Sequence, residues 1–108
     1  MNEGKAIRVL IVDDHEVVRE GLRTLIGKQK GMSIVGEAAT AKDAIEGAAR
    51  ARPDVIVMDV RLPDGSGVEA CRAIREILPA TRVIMLTSYP DDEALYASIV
   101  AGASGYLL

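Results

Sequence analysis

Phenylalanine and tryptophan are absent from this sequence, and tyrosine occurs only as Tyr89, Tyr96 and Tyr106. Flavins and exposed nucleobases stack on aromatic platforms, so such ligands have few places to sit here. The core must instead be Val, Ile, Leu, Met and Ala. The single cysteine, Cys71, cannot close an internal disulfide, which fits a reducing compartment. No basic run occurs, and the net charge of −3 argues against nucleic acid as a direct ligand, because phosphate backbones are held by clustered Lys and Arg. The first residues are polar, and no apolar run approaches a membrane span or the core of a signal peptide. The expectation is therefore a cytoplasmic protein without membrane attachment.

What is present is globular in proportion. At 108 residues the chain has room for one domain with one core, and 49% hydrophobic with 27% charged residues is not the balance of a disordered segment. The stretch Val55-Ile56-Val57-Met58-Asp59 organises the rest: four apolar β-formers, long enough for a buried strand and too short for a buried helix, run into a carboxylate. Ile7 to Val12 ends the same way in Asp13 and Asp14, and Val83 to Leu86 ends in Thr87 and Ser88.

Between these runs the periodicity changes. Val18, Leu22, Leu25 and Ile26 keep helical spacing from about His15 to Lys28, with Gly27 and Gly31 closing the segment. Met32 to Glu37 alternates, with Met32 and Ile34 on one side and Ser33, Val35 and Glu37 on the other, as expected of a half-exposed strand at a sheet edge. Thr40-Ala41-Lys42-Asp43 resembles a helix-start box, and Arg50, Arg52 and Pro53 close that second helix. Leu62 to Gly67 carries turn chemistry. Ser66 with Glu69 makes a capping box for a third helix bearing Val68, Cys71, Ile74 and Leu78, ended by Pro79. Pro90 to Glu93 predicts an acid-rich start to a short, Ala-rich fourth helix, and Ala103 to Leu108 a fifth strand.

Strict strand–helix alternation implies a parallel sheet with right-handed crossovers and helices on both faces. With the half-polar second strand at an edge, the strand order is 2-1-3-4-5, a doubly wound flavodoxin-like (CheY-like) arrangement. Ligands of such sheets bind beyond the carboxyl ends where the order reverses, and Asp13, Asp14 and Asp59 stand there. Any one of them could be an ordinary cap or turn former. Three together, with no basic residue at the strand ends to neutralise them, call for a divalent cation, and hard oxygen ligands suit Mg²⁺ or Mn²⁺. A carboxylate beside a metal, with the Thr87 hydroxyl placed for phosphoryl oxygens, is the equipment for phosphoryl transfer onto Asp59.

Asp13-Asp14, Asp59, Thr87-Ser88 and Gly105-Tyr106 fall at the spacings of the receiver domain of bacterial two-component response regulators, which the whole chain resembles. The wording of Val12 to Arg19, Leu62 to Gly65 and Ala101 to Tyr106 is similar to the NarL/FixJ branch, whose members usually join the receiver to a helix-turn-helix DNA-binding domain. The resemblance implies that Asp59 accepts a phosphoryl group from the phosphohistidine of a sensor histidine kinase. It implies Mg²⁺ (or Mn²⁺) held by Asp14, Asp59 and the backbone carbonyl of Arg61, with Asp13 acting through water. Thr87 would bond the acyl phosphate and, in moving, let Tyr106 swing inward. Such a chain is a signalling domain, catalysing only its own phosphorylation and dephosphorylation, and touches DNA only through an output domain.

The family's lysine and fifth helix would follow Leu108. Residues 1–108 are thus expected to form a receiver ending in the fifth strand, with one sheet face thinly covered by the first helix and a homodimer the expected consequence. The missing lysine keeps a phosphorylation-independent dimerisation module in play. A haloacid-dehalogenase-type phosphatase would need an aspartate where Arg61 stands, and a flavodoxin-like carrier a hydroxyl-rich loop where Asp13 and Asp14 stand. His15, next to the acids, could be a metal ligand or base but at a helix start reads as a solvated capping residue, Cys71 as core, and Asp64, Asp91 and Asp92 as turn and cap residues.

Overall fold

A computed structural model describes residues 6–87, 102 and 105–107. The strands β1 (Ile7–Val12), β2 (Met32–Ala38) and β3 (Val55–Asp59) alternate with the helices α1 (Glu16–Gly27) and α2 (Ala41–Ala51). After β3 come a small hairpin, β4 (Arg61–Leu62) and β5 (Gly65–Ser66), then α3 (Gly67–Ile77), β6 (Arg82–Leu86) and β7 (Gly105–Leu107). The five long-range strands form one parallel sheet in the order β2-β1-β3-β6-β7. That is the expected 2-1-3-4-5, with two short antiparallel strands inserted that turn-forming residues alone did not announce. The expected fourth helix, Ser88, Tyr89, Asp91 and Asp92 lie outside the described residues.

The sheet's two faces differ. Leu10, Val12, Ile56, Met58, Val83 and Met85 belong to one buried cluster with Ala44 and Ala48 of α2 and Val68, Cys71 and Ile74 of α3. Burying one branched or linear aliphatic side chain stabilises by about 1.5–3 kcal/mol, so this side dominates the fold's stability. On the other face α1 packs on β1 and β2, where Val9 and Ile11 are buried although no residue of α1 itself is, and Val55, Val57, Ile84 and Leu86 remain half-buried. The expectation of unshielded side chains on this face does not hold for β1, whose Val9 and Ile11 are buried.

Helix starts follow their capping residues. The Thr40 hydroxyl accepts the Asp43 N–H at 3.1 Å, as its box predicts. Ser66 accepts from Val68, one residue earlier than its box predicts. Strand β2 also departs from simple alternation: Val9 pairs with Ile34 but Leu10 with Gly36, leaving Val35 as a bulge. Gly36 is where the bulge needs little bulk, since a Cβ there would lie 3.1 Å from Leu10 Cδ1. No described helix is long and apolar enough to cross a membrane.

Candidate functional site

Register brings the polar strand ends together. Val12 pairs with Met58, so Asp13 leaves β1 level with Asp59, and Asp59 pairs with Leu86, so Thr87 begins one residue beyond it. The Asp13 N–H bonds the Ala38 carbonyl at 3.0 Å, and the Val60 N–H bonds Leu86 at 3.0 Å, which fixes both acid-bearing ends to neighbouring strands. Asp14, His15, Asp59, Arg61, Leu62, Pro63 and Thr87 line an open cleft of about 250 Å³. Asp13 is buried at its edge, with 4% of its surface exposed.

The sequence showed no basic residue at the strand ends to neutralise these acids; in the structure His15 turns toward them. His15 occupies the cap position of α1 but makes no side-chain capping bond. Its exposed ring turns back instead, placing Nδ1 3.0 Å from Asp13 Oδ1 and 3.1 Å from Asp14 Oδ1. The hydrogen bond that the Asp13 carboxylate accepts from the ring, then the charge of Asp14, hold the imidazole's pKa above its ordinary value. The reading of His15 as a solvated cap holds for its position and exposure, but the ring bonds the neighbouring carboxylates and not the helix end.

Asp59 is half-buried, and burial pushes its carboxyl upward. The Arg61 N–H, 3.2 Å from Oδ1, opposes that, while the charges of Asp13 and Asp14 add to it. The carboxylate is thus oriented by one backbone donor and crowded by two like charges. One donor atom each from Asp13, Asp14, His15 and Asp59 falls within 4.8 Å of the others, an arrangement able to hold a metal ion. Those carboxylates are the hard oxygen donors that Mg²⁺ prefers, and Arg61 lines the same cleft. Of the expected residues, Asp13, Asp14, Asp59, Arg61 and Thr87 converge, and Tyr106 enters β7 opposite Met85. Its side chain lies outside the described residues.

Two supporting residues were not picked out from the sequence. Arg19, largely buried, donates to the Asp13 carbonyl at 2.6 Å and pairs with Glu16 and Glu37. Gly67 closes the β4–β5 hairpin with an N–H bond to Val60, and its Cα lies so close to β3 that a Cβ would stand 2.0 Å from the Asp59 carbonyl oxygen. Its place directly after a capping serine was the available signal.

The response regulator receiver domain family matches residues 9–108. The DNA-binding transcriptional activator DevR/DosR of Mycobacterium tuberculosis is 50% identical over 102 residues, covering 94% of this chain and 47% of that protein. A two-component response regulator of the LuxR family from an Aurantimonas species superposes with a TM-score of 0.89 at 40% identity, covering 94% of this chain and 73% of that one. The signal receiver domain of the putative response regulator NarL from Mycobacterium tuberculosis gives 0.91 at 31% identity, covering 96% and 84%. The chain spans about half the length of the curated relatives it matches.

Proposed function

Because the chain belongs to the response regulator receiver family, within its NarL/FixJ branch, we propose that it is a phosphorylation-dependent switch whose acceptor is Asp59. The observation that carries this reading is the parallel register that sets Asp13, Asp14, Asp59 and Thr87 around one cleft. An Asp59 carboxylate oxygen attacks the phosphorus of a sensor kinase's phosphohistidine. A P–O bond forms, the P–N bond breaks, and the departing imidazole takes up a proton. The Arg61 N–H holds the other end of the carboxylate during the attack. Asp13, Asp14 and Asp59 with the Arg61 carbonyl would hold Mg²⁺ or Mn²⁺, which supplies charge neutralisation for the phosphoryl oxygens.

The Thr87 hydroxyl then bonds the acyl phosphate, and Tyr106, paired with Met85 on the neighbouring strand, follows it inward. The consequence is a changed surface that favours a homodimer, supported by the half-buried Val55, Val57, Ile84 and Leu86. Similarity to a DNA-binding activator supports DNA control through a further domain rather than through this acidic one. The alternative, a dimerisation module indifferent to phosphate, leaves the three converging acids without a role.

The test is Mg²⁺-dependent labelling by a small phosphodonor. Wild type takes up one phosphoryl group, whereas Asp59→Asn and Asp14→Ala take up none. Wild-type labelling of Asp14→Ala, or labelling of the wild type that is equal with and without Mg²⁺, would remove the metal from the account.

A further inference from the structure

We propose that Asp64 is a positioning residue that ties the cation-binding loop to the first turn of α2, so that the acid cleft and that helix end are thermodynamically coupled. The inference rests on the Mg²⁺ reading above. The first N–H groups of a helix have no partner within it. In α2 the Asp64 carboxylate reaches across from the β4–β5 hairpin and takes two of them, Ala41 on Oδ1 at 2.7 Å and Lys42 on Oδ2 at 3.0 Å. Thr40 takes the third, Asp43. The helix start is therefore complete only while the hairpin stays in place.

Such charge-assisted bonds at the positive end of a helix are the stronger kind. The two bonds hold the Asp64 carboxyl below its ordinary range, so it is charged at neutral pH. Asp64 lies on the α2 side of the short β4–β5 hairpin, whose other side faces the cleft. Arg61, Leu62 and Pro63 line that cleft, Leu62 is buried, and Arg61 pairs with Ser66 across the hairpin. Gly67 anchors the hairpin's far end against Asp59. With that end fixed, freeing Asp64 releases the hairpin tip and, with it, Arg61. Arg61 orients Asp59 through its N–H and would offer its carbonyl to the cation, so Asp64 acts through Arg61.

Linkage is reciprocal: if the α2 contact preorganises the loop for a cation, a bound cation must steady the α2 contact. Two measurements test this, with MgCl₂ as the probe. In wild type, amide exchange at Ala41 and Lys42 should slow on adding saturating Mg²⁺, and in Asp14→Ala it should not. By calorimetry Asp64→Ala, with unchanged circular dichroism, should bind Mg²⁺ about tenfold more weakly, the usual scale for loss of a residue that orients a ligand. Asp64→Asn, which keeps one acceptor oxygen, should recover part of that loss. Wild-type Mg²⁺ affinity in Asp64→Ala, or Ala41 and Lys42 amides indifferent to Mg²⁺ in a wild type that binds it, would overturn the coupling. The exchange arm stands even if Asp64→Ala does not fold. Failure of wild type to bind Mg²⁺ at all is a different outcome, which would overturn the metal assignment and this inference together.

Discussion

Gly67→Ala perturbs the site at its most crowded backbone contact. The added methyl would lie 2.0 Å from the Asp59 carbonyl oxygen and 3.0 Å from its carbon, against an ordinary contact of 3.4 Å or more. Met85 Cε, at 3.2 Å, can rotate away, but the Asp59 carbonyl cannot, because β3 is paired on both sides. The start of α3 must therefore move by more than an ångström, stretching the Gly67 N–H bond to Val60. Overpacking of this kind costs about 1–3 kcal/mol, and a backbone-to-backbone clash belongs at the upper end. At roughly 4–8 °C per kcal/mol for a domain near this size, the thermal midpoint should fall by about 12 °C or more. Phosphorylation should also slow by up to about 100-fold, since an ångström of misplacement at a reacting group costs that much. Circular dichroism melting is the suitable assay in a chain without tryptophan, paired with initial rates of phosphodonor labelling. A Gly67→Ala protein with a wild-type midpoint and a wild-type rate would refute the reasoning.

The same substitution at Gly21 should do the opposite: that exposed position in α1 has nothing within 4 Å of a new Cβ, so helix propensity should add about 0.5–1 kcal/mol, read as a higher midpoint. Asp59→Asn should stabilise the metal-free protein at neutral pH. The folded-state pKa of Asp59 is raised, so its ionised form costs stability that is absent below the ordinary carboxylate range and fully felt once pH exceeds the raised value. The gain seen in melts at pH 7 should therefore vanish near pH 3, and a gain that is constant with pH would contradict it. Thr40→Ala should cost about 1 kcal/mol by denaturant unfolding, because it strands only the Asp43 N–H while Asp64 keeps the other two donors.

Much of this fold was legible because its signals are local. An apolar run such as Val55 to Met58 states both strand and burial, and strand–helix alternation then leaves few parallel topologies. Asp13, Asp14, Asp59 and Thr87 could be read as one site because each ends a run, and parallel register does the rest. What escaped depends on contacts between distant segments. Asp64 reads as a turn residue in its own window, and only the approach of α2, 22 to 23 residues away in sequence, makes it a helix cap. His15 was assigned to the helix it begins, whereas the folded chain offers it two carboxylates at hydrogen-bond distance. Arg19 looks like a solvated helix residue until the Asp13 carbonyl and Glu37 are set beside it. The Val35 bulge was hidden because a slipped register leaves no mark in a sequence that still alternates.

The most direct measurement is chemical mapping of the phosphoryl group. The protein is treated with a small phosphodonor and Mg²⁺, reduced with borohydride so that an aspartyl phosphate becomes homoserine, digested, and sequenced by mass spectrometry. The account predicts homoserine at position 59 alone, dependent on both phosphodonor and Mg²⁺. Homoserine at 13 or 14, or phosphate retained on a histidine or hydroxyl residue with Asp59 intact, would contradict it.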